Sequence, residues 1–141
     1  NGLLGVESIS MGIATLQKLE SMDYINLYKQ TKIANVSNDE GIRLGFRTTS
    51  GTKPAIIGNL KNLIENEDIM IPSAQLIQEL REFISTSTGK TEAAPGCYDD
   101  LVISLAICAE VLRTHWDRLT TRNVSFSQRT AEWIPDNTKW L

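Results

Sequence analysis

Residues 96–107 read GCYDDLVISLAI, and this stretch decides most of what the sequence predicts about the fold. A turn containing Gly leads into the adjacent carboxylates Asp99 and Asp100, and apolar residues then continue to about Thr114. A helix that is apolar on nearly every side is typical of one buried between layers. We therefore predict a buried helix over 99–114 whose first turn lies at the rim of the core.

Two interpretations of the Asp pair remain open on spacing alone. Asp is among the best N-cap residues, and a carboxylate in the first turn is favoured by the helix dipole, effects of about 0.5–2 kcal/mol. One Asp is fully explained in this way. Two adjacent carboxylates repel each other, and a divalent cation such as Mg²⁺ would offset that repulsion. Because Asp caps are common, spacing alone favours the cap.

Strand and helix patterns that alternate along the residues before this helix predict a small α/β or α+β domain with helices packed on a sheet. The polar residues 85–96 fit a hairpin or loop. The predicted elements are helices over 3–19, 50–67 and 73–84, and strands over 24–28, 42–49 and 69–71.

Composition excludes several classes of protein. The chain has 141 residues, and no apolar run reaches the roughly 18 residues of a membrane span. The opening NGLLGVESIS has no basic region followed by an apolar block, so we expect no signal peptide. It also lacks an initiator Met, so we expect a fragment or a processed product. Two cysteines and one His form neither a disulfide framework nor a zinc site, which favours a cytoplasmic setting.

Net charge is −3, so contact with nucleic acid requires a local basic patch. Arg43, Arg47 and Lys53 lie in the segment IRLGFRTTSGTKP, where basic residues among Gly, Ser and Thr before a helix suit phosphate contact. A solvated loop with ordinary surface cations is the commoner case. TGKT at 88–91 lacks the upstream Gly of a Walker A motif, so we predict a flexible turn whose Lys90 can still contact a phosphate.

Several segments, in chain order, resemble the C-terminal nuclease domain of the large terminase subunit in phage DNA-packaging motors of the T-even type. The most specific are GFRTTSGTKP and the helix start YDDLV, and between them lie NLIEN, IMI, QELREF and the polar hairpin. The opening Asn1-Gly2 resembles the point just after the second catalytic carboxylate of that family. The resemblance covers roughly 1–112. It divides the chain into part of a nuclease domain, 1–113, and an unassigned tail, 114–141.

The resemblance implies an α/β fold of the RNase H-like type, a mixed sheet flanked by helices, and a metal-dependent endonuclease that cuts concatemeric viral DNA. The third acidic position of the family site maps onto Asp99 and Asp100, which become expected catalytic residues and ligands of Mg²⁺ or Mn²⁺. Two metal ions about 4 Å apart require carboxylates that converge from different elements. The expected DNA contacts are Arg43, Arg47, Lys53 and Lys90.

The same resemblance implies double-stranded DNA, the portal protein and the small terminase subunit as partners, no membrane, and action in the host cytoplasm. The sequence begins after the strands expected to carry the first Asp and the second Glu of the family site. Glu7 falls on the following predicted helix and is no substitute by position. We therefore expect an N-terminally truncated domain, inactive by itself, within a parent protein that is a nuclease.

Two rival interpretations stay open. In the first, the chain is a non-catalytic α/β module that binds DNA or the capsid portal protein, and the Asp pair is only a cap. In the second, the chain belongs to a related RNase H-like resolvase or recombinase, which shares the chemistry but should lack the threonine–lysine–proline segment.

Overall fold

The structure, a computed structural model, describes residues 2–31, 41–86 and 89–120, with 116–120 described by their backbone alone. The described residues form a mixed α/β fold with four helices and two small antiparallel sheets. The elements in chain order are α1 (Met11–Ser21), β1 (Lys29–Thr31), β2 (Ile42–Leu44), α2 (Thr52–Glu65), α3 (Ala74–Glu82), β3 (Phe83–Ser85), β4 (Thr91–Ala93) and α4 (Asp100–Thr120).

Each sheet is a two-stranded hairpin. In the first, β1 pairs with β2 so that Lys29 lies opposite Leu44, and in the second, β3 pairs with β4 so that Phe83 lies opposite Ala93. The second hairpin confirms the sequence prediction for the polar segment, although it begins at Phe83 rather than at residue 85. Its turn places Lys90 next to the start of β4.

The segment before α1 extends the first sheet. Leu4 forms a parallel bridge with Leu27, and Glu7 forms a parallel bridge with Phe46. The helix predicted over 3–19 therefore begins only at Met11, because the backbone groups of the preceding residues bind the ends of the first hairpin. Strand pairing across more than twenty residues overrides a weak helical pattern that already contains two glycines.

Gly45 makes this pairing possible. Its φ is +74°, and a Cβ at this position would lie 2.5 Å from the carbonyl oxygen of Val6. Only glycine tolerates both the left-handed backbone and so close an approach of another chain segment. Gly45 thus fixes where the N-terminal segment meets the end of β2.

The core lies between α4, α2, the first hairpin and α3. On α4, Val102 and Ala106 are fully buried, at 1% and 0% exposure. The contiguous core cluster consists of Tyr28, Phe46, Ile56, Leu60, Val102, Ile103, Ala106, Ile107 and Val111. The prediction that the GCYDDLVISLAI helix is central to the core is confirmed.

The prediction that α4 is buried on nearly every side is wrong. Ser104, Cys108 and Leu112 are exposed and lie four residues apart on one stripe. A helix that is uniformly apolar in sequence does not reveal its orientation, so the sequence could not identify its solvent face. The helix also continues to Thr120, past the predicted division at 113/114, and residues 121–141 of the predicted tail lie outside the described residues.

Residues 69–71 form no strand. Ile69 is half-buried and packs against the core cluster, whereas Met70 is exposed. Pro72 follows directly and has no N–H to donate to a sheet, so the segment serves as a connection into α3. No helix among the described residues combines the length and the apolarity that crossing a bilayer requires.

Candidate functional site

A cavity of about 790 Å³ opens where four parts of the chain meet. They are the N-terminal segment around Glu7, the loop and first turn of α2, the turn of the second hairpin, and the first turns of α4. The polar residues that line it are Glu7, Thr48, Thr49, Ser50, Lys53, Lys90, Thr91, Asp99, Asp100 and Ser104. The fold therefore brings the Asp pair together with hydroxyls and two lysines that are distant in sequence.

The start of α4 is held by a side chain from another helix. The backbone N–H of Leu101 donates a hydrogen bond to Oε2 of Glu79 in α3, at 2.8 Å. Glu79 is only 8% exposed. A carboxylate at this place satisfies one of the free N–H groups of the first turn and is stabilised by the helix dipole. The capping role considered for the Asp pair is thus filled by Glu79.

Asp99 lies just before α4 and forms an ion pair with Lys53. The Lys53 Nζ lies 3.0 Å from Asp99 Oδ2, and the two side chains are 24% and 28% exposed. The same Nζ lies 5.7 Å from the ring centroid of Phe83, a cation–π contact. The charge of Asp99 is therefore balanced by a lysine in the first turn of α2, and the pair joins the starts of the two helices.

Asp100 differs from its neighbour. Its side chain is exposed at the cavity, and no hydrogen bond or ion pair joins it to another residue in the described part of the chain. Neither Asp side chain accepts a hydrogen bond from a backbone N–H of the first turn of α4, as far as the described residues go. Asp100 thus presents a carboxylate to the cavity that is not engaged elsewhere.

The loop before α2 is fixed by two threonines. The backbone N–H of Thr52 donates to Oγ1 of Thr49 at 3.1 Å, and the backbone N–H of Thr49 donates to Oγ1 of Thr52 at 2.8 Å. This reciprocal arrangement is similar to a capping box. The neighbouring Thr48 Oγ1 is buried and has no hydrogen-bond partner within the described parts of the chain. The loop therefore presents ordered hydroxyls and a helix N-terminus beside the Asp pair.

The four basic residues predicted to contact DNA fall into two groups. Lys53 and Lys90 line the cavity, whereas Arg43 in β2 and Arg47 just after it lie outside its lining. The Nζ of Lys90 lies 2.6 Å from Oε2 of Glu92, and the hydrogen bond and charge of that carboxylate raise the pKa of Lys90. Lys90 therefore carries a full positive charge at any pH near neutral.

Glu7 is a lining residue that sequence reasoning set aside. The sequence pattern predicts a helix at Glu7, whereas the structure places this residue in the extended segment that pairs with Phe46. Residues 6–9 read apolar, polar, polar, apolar, so no strand-type alternation was present to identify its position.

The acidic residues near the cavity do not assemble a complete metal site. Among residues 2–31, 41–86 and 89–120, no group of three or more His, Cys, Asp or Glu side chains is arranged to hold a metal ion. Asp99 and Asp100 are two adjacent carboxylates at this cavity, which is fewer than such a group contains. Additional ligands are required for the two-metal arrangement that the resemblance implies.

Comparison with known proteins adds no identification. No family model matches the chain, and no solved structure matches it.

Proposed function

We propose that the chain is part of the nuclease domain of a phage terminase large subunit, with an RNase H-like fold and a metal-dependent endonuclease activity in the parent protein. The observation that carries the proposal is that the Asp100 side chain is exposed at the cavity and not engaged by another described residue. Asp100 lines the cavity without a partner among the described residues, while Glu79 binds the Leu101 N–H that a capping side chain at position 99 would otherwise bind. A helix with a buried face is a firm support for a metal ligand in its first turn.

The charges around the start of α4 favour a cation. Three carboxylates, those of Glu79, Asp99 and Asp100, lie at or near this helix end, and Lys53 is the cation paired with one of them. Carboxylate oxygens are the ligands that Mg²⁺ and Mn²⁺ prefer. In the proposed site, Asp100 binds the metal ion and Asp99 is a second ligand once Lys53 moves to another anion.

A bound divalent ion of this kind activates water and stabilises the leaving oxygen of a phosphodiester. The remaining groups of the cavity suit the DNA backbone. Lys53 and Lys90 supply positive charge, and the hydroxyls of Thr49 and Ser50 stand at the start of α2, where a phosphate is favoured by free N–H groups and the helix dipole. Arg43 and Arg47 would extend the contact along the first hairpin. The portal protein and the small terminase subunit are proposed as partners on resemblance alone.

The chain by itself is proposed, on the resemblance alone, to cut DNA weakly or not at all. The residues encoded immediately before Asn1 test the resemblance. The resemblance requires a Glu within two or three positions upstream and a Walker A motif further back in the same gene. A gene without either would contradict the assignment to a terminase.

Metal binding by the chain is the direct test of the role of Asp100. Mn²⁺ is titrated into ¹⁵N-labelled protein, and paramagnetic broadening of backbone amides is followed residue by residue. We expect selective broadening in the first turn of α4, absent in Asp100→Asn and retained in Asp68→Asn, which removes an exposed carboxylate away from the cavity lining. Equal broadening in wild type and Asp100→Asn would refute the site.

A plasmid-cleavage assay with Mg²⁺ or Mn²⁺ tests the chemistry. We expect little or no cutting by the chain alone. Robust cutting that Asp100→Ala abolishes would contradict the expected inactivity, while supporting the nuclease assignment.

A second candidate function is favoured by one observation. The Lys53–Asp99 pair joins α2 to α4 and has a purely structural explanation. If Asp100 binds no metal ion, this pair and the basic residues fit a non-catalytic module that binds DNA. The discriminating result is DNA binding that is unchanged by Asp100→Asn and weakened by Lys90→Ala.

A further inference from the structure

One face of α4 carries no charge and is only partly covered by the rest of the described chain. Leu101 and Leu105 on this face are half-buried, whereas Ser104, Cys108 and Leu112 are exposed, Leu112 at 43%. The five residues recur at the spacing that brings side chains to one side of a helix. Together they form a continuous surface, named here the uncharged face of α4.

The charged side chains in the middle of α4 lie on the opposite side of the helix from Cys108. Arg113 donates two hydrogen bonds to the Glu110 carboxylate, at 2.9 and 2.7 Å, so these charges satisfy each other away from the uncharged face. The solvent side of a helix normally carries charged and polar residues. Single exposed apolar side chains are common, but a contiguous group of them marks a surface that another group covers.

The size of the uncharged face excludes a second copy of the chain as a stable cover. From Leu101 to Leu112 the face is roughly 17 Å long, and with a width of about 10 Å it offers on the order of 200 Å². A stable interface between two proteins buries about 800 Å² on each partner. A segment of the same chain needs less contact, because its attachment gives it an effective concentration in the millimolar range.

The segment 121–141 follows directly on α4, which ends at Thr120. It contains Phe126 and Trp133, and one aromatic side chain buries about 150–250 Å², so one or two of them fill a face of this size. Leu112 lies about 12 Å from Thr120 along the helix, whereas the chain from Thr120 to Phe126 spans up to about 20 Å. The far end of the face is about 29 Å away, within the reach of about 43 Å to Trp133.

We propose that residues 121–141 turn back along α4 and that Phe126 and Trp133 cover its uncharged face. Ser104 belongs both to this face and to the lining of the cavity, so the covering segment borders the candidate site. This inference does not depend on the proposed nuclease function, because it follows from the surface of α4 and from the residues that come after it.

The reactivity of Cys108 tests the cover, since its thiol lies on the uncharged face. The full chain is treated with a maleimide, and the labelling rate at each cysteine is followed by mass spectrometry of its peptides. Cys97, which is half-buried and precedes α4, reports general opening of the fold. The test variant combines Phe126→Ser with Trp133→Ser. Met70→Ser is the control, because it removes an apolar side chain that is 91% exposed on the connection before α3.

We expect Cys108 to react about tenfold more slowly in the native wild type than in the urea-unfolded chain, and the double variant to restore about tenfold of that rate without a change at Cys97. Met70→Ser should leave both rates within about twofold of wild type. An unprotected Cys108 in wild type would overturn the proposal, as would protection that the double variant leaves intact. Protection that grows with protein concentration would assign the face to a second copy and would overturn it as well.

The spectrum of backbone amides shows whether each variant is folded. If the double variant gives no dispersed signals, Trp133→Ser alone takes its place with the same expected direction at Cys108. An equal rise in rate at Cys97 and Cys108 would show that the segment stabilises the fold without covering this face, and it would contradict the proposal.

Discussion

The starts of α3 and α4 solve the same physical problem in opposite ways. Ser73 precedes α3, and its Oγ accepts a hydrogen bond from the N–H of Leu76 at 3.2 Å. The start of α4 has two Asp residues, which are better caps than most, yet its N–H group is bound by Glu79 from 22 positions away. The first arrangement is local and exposed, and the second is distant and part-buried.

The comparison of Ser73 with the Asp pair separates two roles of a polar residue at a helix start. A side chain that caps its own helix is fully used, so Ser73 needs no further explanation. A carboxylate that stands at a helix start without capping it is available for something else. Asp99 is engaged by Lys53, and Asp100 is left to face the cavity.

Removing the distant cap should have the largest effect on stability. Glu79→Ala leaves the Leu101 N–H without its partner in a part-buried place, so we expect the free energy of unfolding to fall by about 2 kcal/mol. Urea denaturation followed by circular dichroism measures the change. Gln75→Ala, at an exposed position of the same helix, should change it by less than about 0.5 kcal/mol. A loss in Glu79→Ala no larger than in this control would show that the distant cap carries no stability.

Removing the local cap at Ser73 should lower the free energy of unfolding by about half as much. Ser73→Ala deletes the oxygen that accepts from Leu76, for which we expect a loss of about 1 kcal/mol, and Ser73→Asp should restore most of it. Ser104→Ala is the control, because a serine inside a helix gains stability of up to about 0.5 kcal/mol on replacement by alanine. Thermal unfolding of the three variants in one buffer gives the order. If Ser73→Ala left the stability unchanged, the local cap of α3 would contribute nothing, which would contradict the comparison with α4.

The local half of this comparison could be predicted from sequence, and the distant half could not. The helices predicted over 50–67 and 73–84 begin within two residues of α2 and α3, because a cap such as Ser73 and a first-turn proline such as Pro54 act within three residues. The Asp pair marked the start of α4 equally well. That Glu79 rather than Asp would bind this helix start depends on how α3 packs on α4, and no local pattern contains that information.

At the cavity, too, the sequence could not predict contacts between distant segments. The sequence hypothesis joined six residues in one site. The structure brings Asp99, Asp100, Lys53 and Lys90 to one cavity and leaves Arg43 and Arg47 outside its lining. The ion pair that occupies Asp99 and the extended position of Glu7 both follow from contacts between distant segments. The parallel bridges of the N-terminal segment also join residues that are distant in sequence. Because a local pattern does not show such pairings, the sequence predicts a helix from residue 3, where the structure has an extended segment.

Breaking the Lys53–Asp99 pair should have a smaller effect than removing either cap. Both side chains are about a quarter exposed, so we expect a coupling energy of roughly 0.5–1 kcal/mol from a double-mutant cycle of Lys53→Met and Asp99→Asn. The coupling should shrink in 1 M NaCl, where the Debye length falls to about 3 Å. The exposed Lys61–Glu65 pair, treated in the same way, provides the lower reference. A coupling energy at Lys53–Asp99 no larger than this reference would indicate that Asp99 is as free as its neighbour.

The smallest change in the free energy of unfolding is expected for Asp100→Ala. Its size decides whether Asp100 caps its helix or is available as a metal ligand. Asp100→Ala loses an interaction with the helix dipole of about 0.3–1 kcal/mol and gains helix propensity of up to about 0.7 kcal/mol, so the two nearly cancel. We expect the free energy of unfolding to change by less than about 0.5 kcal/mol, although Mn²⁺ binding in the first turn of α4 disappears. A loss above about 1 kcal/mol with no effect of the metal ion would mean that Asp100 caps its helix after all. In that case Glu79 supports the cap, and the contrast between the starts of α3 and α4 is one of strength alone.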